Sequence, residues 1–210
     1  MSQQSTRALL IRAAMIRFGR EGYEAASTRA IAADAGTNIS SIAYHFGGKE
    51  GLRIACADAV ADQIQQVART VPLVPVVLSP RMARATLRRL VRRMVTFLIL
   101  GAGANEMVGF VLRELAQPDS PVLERLYATL VEPRHAGLCA IWSAATGRPA
   151  ESDDVKLAVF TLVGQVAYFR LAAPIVQRRM GWQGYSRPEA RAITRRLLVN
   201  LELMTGGGNG

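Results

Sequence analysis

Apolar residues recur at three- and four-residue spacing along almost the whole chain, and sustained alternation with period two is absent. This pattern predicts an all-α protein. A first helix over 5–19 places Leu9, Ala13 and Ile16, with Ala14 and Phe18 beside them, on one face, and Gly19 and Gly22 end it. A short helix follows, with Ser27 or Thr28 as its cap and Ile31, Ala32 and Ala35 as its apolar side. Gly36 closes it at the position where helices turn left-handed. A second short helix covers 39–46 and is stopped by Gly47 and Gly48, and Lys49 and Glu50 open a longer one to about residue 70. Further helices are expected over 80–100, 105–116, 121–145, 153–180 and 188–204. Pro80 suits a first helical turn. Asp119 or Ser120, and Ser152 or Asp153, suit caps, and Pro133 predicts a kink. Residues 71–80, with Pro72, Pro75 and Pro80, read as a linker, and 205–210 as a flexible tail. The expected organisation is a three-helix head over 1–53 and a helical body over 54–204.

The head carries the most information. Two helices of about two turns each, joined through Gly36, Thr37 and Asn38, have the length and glycine position of a helix-turn-helix. Ile31, Ala32, Ala35, Ile42 and Phe46 can face inward against Leu10, Ala14 and Phe18. Thr37, Asn38, Ile39, Ser40, Ala43 and Tyr44 then face outward, where they can reach base edges, a thymine methyl or phosphates. Thr28 and Arg29 stand at one helix N-terminus and Lys49 at another, positions that favour phosphate. An ordinary helical hairpin would show the same geometry, so spacing alone leaves both readings open.

Across 5–53 the residues Phe18-Gly19, Gly22-Tyr23, Ser27-Thr28, Ile31-Ala32, Ala35-Gly36, Ile42, Tyr44-His45-Phe46, Lys49-Glu50 and Leu52 form one set. The head resembles the DNA-binding domain of TetR-family transcriptional repressors on this whole set. The resemblance implies phosphate contacts from Thr28, Ser41, Tyr44 and Lys49, and base reading by Asn38, Ile39, Ser40 and Tyr44. Ala43 stands where many members have a tyrosine, which leaves that backbone contact to Tyr44 or His45. His45 is expected to pack or to touch a phosphate.

The body carries polar residues inside apolar helices: Arg113, Glu114, Tyr127, His135, Gln165 and Arg170. Buried polar groups need partners. They form an internal network, the anchors of an effector pocket among Met107, Phe110, Leu138, Trp142 and Phe169, or both at once. Arg113 and Glu114 are neighbours about 100° apart on a helix, so they cannot both face one partner. On Arg113-Glu114, Pro118, Leu126-Tyr127, Pro133, His135, Gly164-Gln165-Val166, Phe169-Arg170, Met180-Gly181-Trp182 and Tyr185, residues 105–185 resemble the C-terminal domain of the CecR-like subgroup of the same family. That resemblance implies a ligand-sensing domain and a homodimer built on the last two long helices, about 153–180 and 188–204. The residues agree: Val155, Leu157, Val159, Leu162, Val163 and Val166 are more than one buried stripe needs, and Ala158, Gly164 and Ala167 permit close approach.

Composition changes this picture little. The 26 Lys+Arg exceed the 16 Asp+Glu to give +10, and all but Lys49 and Lys156 of the cations are arginines. Positive charge favours nucleic acid or anionic ligands, yet residues 1–53 hold only 7 cations against 4 acids. Arg81, Arg84, Arg88, Arg89, Arg92 and Arg93 form an acid-free run, expected as a solvated face or a contact for phosphate or an acidic partner. Enzyme motifs fail. Gly101 and Gly103 are followed by Glu106 where a dinucleotide fingerprint needs glycine, and Glu50 follows Lys49 where a phosphate loop needs Ser or Thr. Two His and two Cys give no zinc spacing, so neither metal nor cofactor is expected. Cys56 and Cys139 read as small buried hydrophobes in a reducing cytoplasm. Residues 1–20 lack a secretory apolar core. The stretches 94–112 and 157–176 contain charged or helix-breaking residues, so no membrane association is expected. The expected function is therefore a cytoplasmic, homodimeric repressor. It holds a near-palindromic double-stranded DNA operator and is released by a small-molecule effector. The alternative is a helical small-molecule or partner-binding protein without specific DNA recognition.

Overall fold

The computed structural model describes residues 3–70 and 77–206. Pro72 and Pro75 of the expected linker and residues 207–210 of the expected tail lie outside them. Every regular element among the described residues is helical, without a strand. In chain order the helices are α1 (Gln3–Glu21), α2 (Thr28–Asp34), α3 (Ser40–Phe46), α4 (Lys49–Val67), α5 (Pro80–Val95), α6 (Ala104–Leu115), α7 (Pro121–Leu126), α8 (Glu132–Thr146), α9 (Asp153–Leu171), α10 (Ala173–Met180) and α11 (Arg187–Gly206). A 3₁₀ turn extends α4, and π turns at Thr96–Leu100 and Tyr127–Val131 extend α5 and α7. No single helix among the described residues is long and apolar enough to cross a membrane.

Packing divides the chain into two compact units, one from Met1–Ile64 with Asn105–Leu130, the other from Gln65–Ala104 with Val131–Gly210. The first unit thus takes in most of α6, and α7, together with the head. Leu10, Ala14, Phe18, Ile31, Ala32, Ala35 and Ile42 are buried, as their spacing predicts, and Phe46 is half-buried. Arg17 of α1 reaches Asp34 of α2 at 2.6 Å and Glu21 at 2.7 Å. Its guanidinium holds the Asp34 carboxyl below the usual carboxylate range. Where α1 meets α6, a Cβ on Gly19 would lie 3.0 Å from the backbone of Gly109 and Phe110, so the close approach there depends on glycine.

One buried cluster ties the end of the head to α6 and α7. Arg53 meets Glu114 through two parallel bonds, Nε to Oε1 at 3.0 Å and Nη2 to Oε2 at 2.6 Å. The same Nη2 donates to Gln117 at 2.9 Å and lies 3.2 Å from the Ser120 hydroxyl. Ser120 in turn donates to Glu114 and accepts from Val122 N–H at 3.2 Å, so it caps α7 as expected. The Tyr23 ring lies 4.2 Å from the Arg53 guanidinium, a cation–π contact. Arg53 Nε and Nη2 and both Glu114 carboxylate oxygens thereby have partners.

The second unit is built on α5, α8, α9 and α11. Leu87, Val91 and Val95, Ile141 and Trp142, Val155, Val159 and Leu162, and Ile193, Leu197 and Leu201 form its core. Two departures from the expected helices have local causes. The helix expected over 121–145 widens into a π turn at Tyr127–Val131, just before Pro133. Pro133 has no N–H for the carbonyl four residues back, so the regular ladder cannot run through it. The helix expected over 153–180 instead breaks at Ala172, and its halves bend by 74°. Pro174 is the cause: it lacks the N–H owed to the Arg170 carbonyl, and its ring would collide with that group. The last helix also runs on through Thr205 and Gly206, two residues into the expected tail.

The arginine run on α5 is more than a solvated face. Arg84 donates to the Ala145 carbonyl at 3.2 Å and the Thr205 carbonyl at 3.4 Å, near the C-terminal ends of α8 and α11. Positive charge is favourable at such ends. Arg88 pairs with Glu202, and Arg93 donates to the Gln66 carbonyl.

Glu114→Ala strips the buried Arg53 of its counter-charge and is expected to cost about 3–5 kcal/mol in urea unfolding. The double change Arg53→Met, Glu114→Leu is expected to recover most of that loss, because no unpaired charge remains buried.

Candidate functional site

The helix-turn-helix is set by a glycine and an asparagine. Gly36 sits at φ +62°, its N–H bonded to the Ala33 carbonyl, while Thr37 N–H reaches back to the Ala32 carbonyl at 2.9 Å. These two bonds make a Schellman closure of α2. Asn38 then starts α3: its Oδ1 accepts from Ser40 N–H at 3.0 Å and lies 3.1 Å from the Ser40 hydroxyl. Thr37 and Ser41 hydroxyls lie 3.0 Å apart, joining the turn to the first turn of α3. Gly47 at φ +74° and Gly48 at φ +136° swing the chain directly into α4. A Cβ on Gly51 would sit 1.8 Å from the Phe46 carbonyl oxygen, so the α3–α4 corner admits only glycine there.

On this frame Ile39 and Tyr44 project outward, Tyr44 being 74 % exposed. The Tyr44 ring meets His45 edge-on at 4.9 Å, and His45 lies beside Phe46. Ser40 and Ala43 are exposed on the same short helix. Arg29 is exposed and Thr28 half-buried at the start of α2, whose preceding residue Ser27 makes no side-chain cap. Lys49 is held at the start of α4 by the Glu24 carbonyl at 3.1 Å and by the Tyr23 ring at 4.6 Å. All nine positions expected to meet DNA thus fall within the head. Asn38 and Ser41 already have partners in the fold, whereas Ile39 and Ala43 expose their side chains, and Tyr44 is exposed beside His45. Arg53 escaped the sequence reading altogether; a cation in an otherwise apolar stretch beside Leu52 and Ala55 was its only signal.

The polar residues of the body are divided between the two units. In the first, Glu114 is the centre of the Arg53 cluster, and Arg113 turns away to donate to the Arg20 carbonyl at 3.2 Å. Met107 and Phe110 are buried, Phe110 beside Phe18, and Tyr127 is exposed. In the second, His135 stacks on Phe160 at 4.1 Å and faces the Lys156 carbonyl and the Cys139 thiol. Burial pushes the Cys139 thiol up, and that of Cys56 further. Leu138 and Trp142 lie in the core. Gln165 accepts from Asn200 at 3.0 Å, and the Phe169 carbonyl accepts from the Tyr185 hydroxyl at 2.5 Å. Arg170 holds the carbonyls of Leu98 and Ile99, at 2.5 and 3.3 Å, in the π turn after α5. Five of these six polar side chains have partners within the fold, and Tyr127 is exposed.

One face of the second unit stays apolar and exposed. Leu157, Phe160, Tyr168 and Leu171 line α9 around the exposed Gly164, and Val199 and Leu203 line α11. An exposed apolar stripe of this extent marks an interaction surface.

These features define an all-helical protein with an N-terminal helix-turn-helix. Residues 10–56 match the family model of bacterial regulatory proteins of the tetR family. Residues 83–208 match that of the C-terminal domain of the HTH-type transcriptional dual regulator CecR. The chain is 30% identical over 203 residues to the HTH-type transcriptional dual regulator CecR of Shigella flexneri, covering 94% of this chain and 90% of that protein. Among solved structures, a transcriptional regulator from Rhodococcus sp. Rha1 superposes with a TM-score of 0.65 at 18% identity, over 99% of this chain and 97% of that one. AibR, crystallised with isovaleryl coenzyme A and operator DNA, gives 0.65 at 18%, over 96% and 98%. The chain belongs to the TetR family of transcriptional regulators, within its CecR group.

Because Asn38 caps α3, Asn38→Ala is expected to lower stability by about 0.5–2 kcal/mol. Asn38→Asp, which keeps the capping oxygen, is expected to stay close to wild type. Thermal unfolding of the two variants checks this.

Proposed function

We propose that the protein is a homodimer that binds a near-palindromic operator, one α3 per half-site, and leaves it when a small-molecule effector binds. The observation that carries this reading is the α2–turn–α3 unit, closed at both ends and presenting Ile39, Ser40, Ala43 and Tyr44 from one short helix. Ile39 and Ala43 suit thymine methyls; Tyr44 and Ser40 suit base edges or phosphate. Thr28, Arg29 and Lys49 flank them as phosphate contacts, and His45 supports Tyr44. The exposed stripes of α9 and α11 are the natural dimer face, and two-fold symmetry would present the two heads to two half-sites. AibR, which shares this fold, was crystallised with isovaleryl coenzyme A and operator DNA, so a fold of this kind can hold an organic ligand as well as DNA. The work done is binding rather than catalysis, in the cytoplasm where the operator lies. Operator and effector then oppose one another by the same factor, as linkage requires.

Fluorescence anisotropy with the promoter beside the protein's own coding sequence, against random duplex, tests the reading. Salt-sensitive binding that prefers the promoter is expected; its absence would sink the proposal. Lys49→Ala is expected to weaken both duplexes alike and to reduce the salt slope by about one. Ile39→Ala is expected to change the promoter preference instead. Light scattering should give twice the chain mass for the wild type and a monomer for Leu203→Glu, which places a charge in the dimer face.

A further inference from the structure

Between α5 with its π turn and α11 lies an open groove of about 540 Å³. Arg92 stands on one wall, and Arg187, Arg191 and Arg195 stand on the other. No acidic side chain lines it. All four arginines are exposed, and none has an ion pair or side-chain hydrogen bond among the described residues. Residues 71–76 and 207–210 contain no Asp or Glu side chain that could supply one. The three on α11 follow at four-residue spacing, where like charges repel modestly.

The remaining lining narrows the chemistry. Leu100, Ala190 and Leu198 are apolar. The hydroxyls of Thr96 and Thr194 already donate to their own helices, at 2.9 Å to the Arg92 carbonyl and 2.7 Å to the Ala190 carbonyl. Donors available to a ligand therefore come from guanidinium groups, whose fork matches carboxylate and phosphate. The volume is within the range of small-molecule sites. The π turn contributes Thr96 and Leu100 to the lining, and such turns recur at functional sites.

We propose that this groove binds a small amphiphilic organic anion, a carboxylate or phosphate ester on an apolar chain. None of the effector residues expected from the sequence lies on it. As the switch of the regulator it rests on the function proposed above; as a binding site it stands by itself.

The test uses the full chain with octyl phosphate and octanoate as soluble probes and octanol as the uncharged control, read by calorimetry and thermal shift. Saturable binding of both anions with a rise in Tm is expected, and none of octanol. The double variant Arg92→Gln, Arg191→Gln should bind about tenfold more weakly, while its own Tm is kept or raised by the relief of repulsion. Absence of saturable binding, equal binding of octanol, or undiminished binding by the variant overturns the proposal. Sedimentation with phosphatidylglycerol vesicles without binding of the soluble probes also overturns it, in favour of a bilayer surface. Promoter affinity of the unliganded variant should match wild type within about twofold; a larger loss would assign the arginines to DNA phosphate and overturn the proposal. The wild-type promoter experiment stands apart, so failure of the regulator reading and failure of the groove give different results.

Discussion

The head is anchored by a single buried ion pair. Arg53 and Glu114 cannot leave water unless each has the other, and the pair is complete only when Gln117 and Ser120 are also in place. Three separate pieces of chain must therefore arrive together: the first half of α4, the end of α6 and the start of α7. Ser120 adds a second condition, because the same hydroxyl group caps α7. A cluster of this kind stabilises modestly when whole and costs heavily when one member is lost. Its effect is to fix the arrangement of the helices, more than to deepen the energy minimum.

Electrostatics are distributed unevenly over the rest of the molecule. The head has little net charge, and Arg17, Lys49 and Arg53 within it are tied to neighbours. Arginines gather on α5 and α11 instead. Those with acceptors, Arg84, Arg88 and Arg93, fasten helix ends and distant turns to α5. Arg92, Arg187, Arg191 and Arg195, which have none among the described residues, line the groove. The excess of arginine over lysine fits both roles, since a planar fork bridges carbonyls or carboxylates in ways an ammonium does not.

Much of this was legible from residue order alone, and the exceptions have physical causes. The α2–turn–α3 unit depends on Gly36, on Gly47 and Gly48, and on apolar spacing, all local signals. Arg53 and Glu114 are 61 positions apart, and no local pattern says which carboxylate an arginine will meet. Pro174 was visible, yet apolar periodicity on both sides of it favoured one continuous helix; the missing N–H prevailed. Pro133 was placed correctly as a disturbance, but the ladder yields before it, in a π turn. The arginine run lacked acids in its own segment, and its acceptors turned out to be carbonyls from α8, α11 and the end of α4 and the carboxylate of Glu202. Polar residues of the body were expected to be network, pocket or both because burial sets only the need for partners, and not their identity.

The division of labour within α3 bears on how such a protein changes over generations. Asn38 and Ser41 are committed to starting the helix and bracing its turn, so altering them disturbs the fold along with any contact to DNA. Ile39 and Ala43 expose their side chains and hold no such structural duty. On the proposed reading, operator preference can therefore drift at these two surface positions while the scaffold is left intact. New specificities arising by that route would leave the turn from Gly36 to Asn38 unaltered.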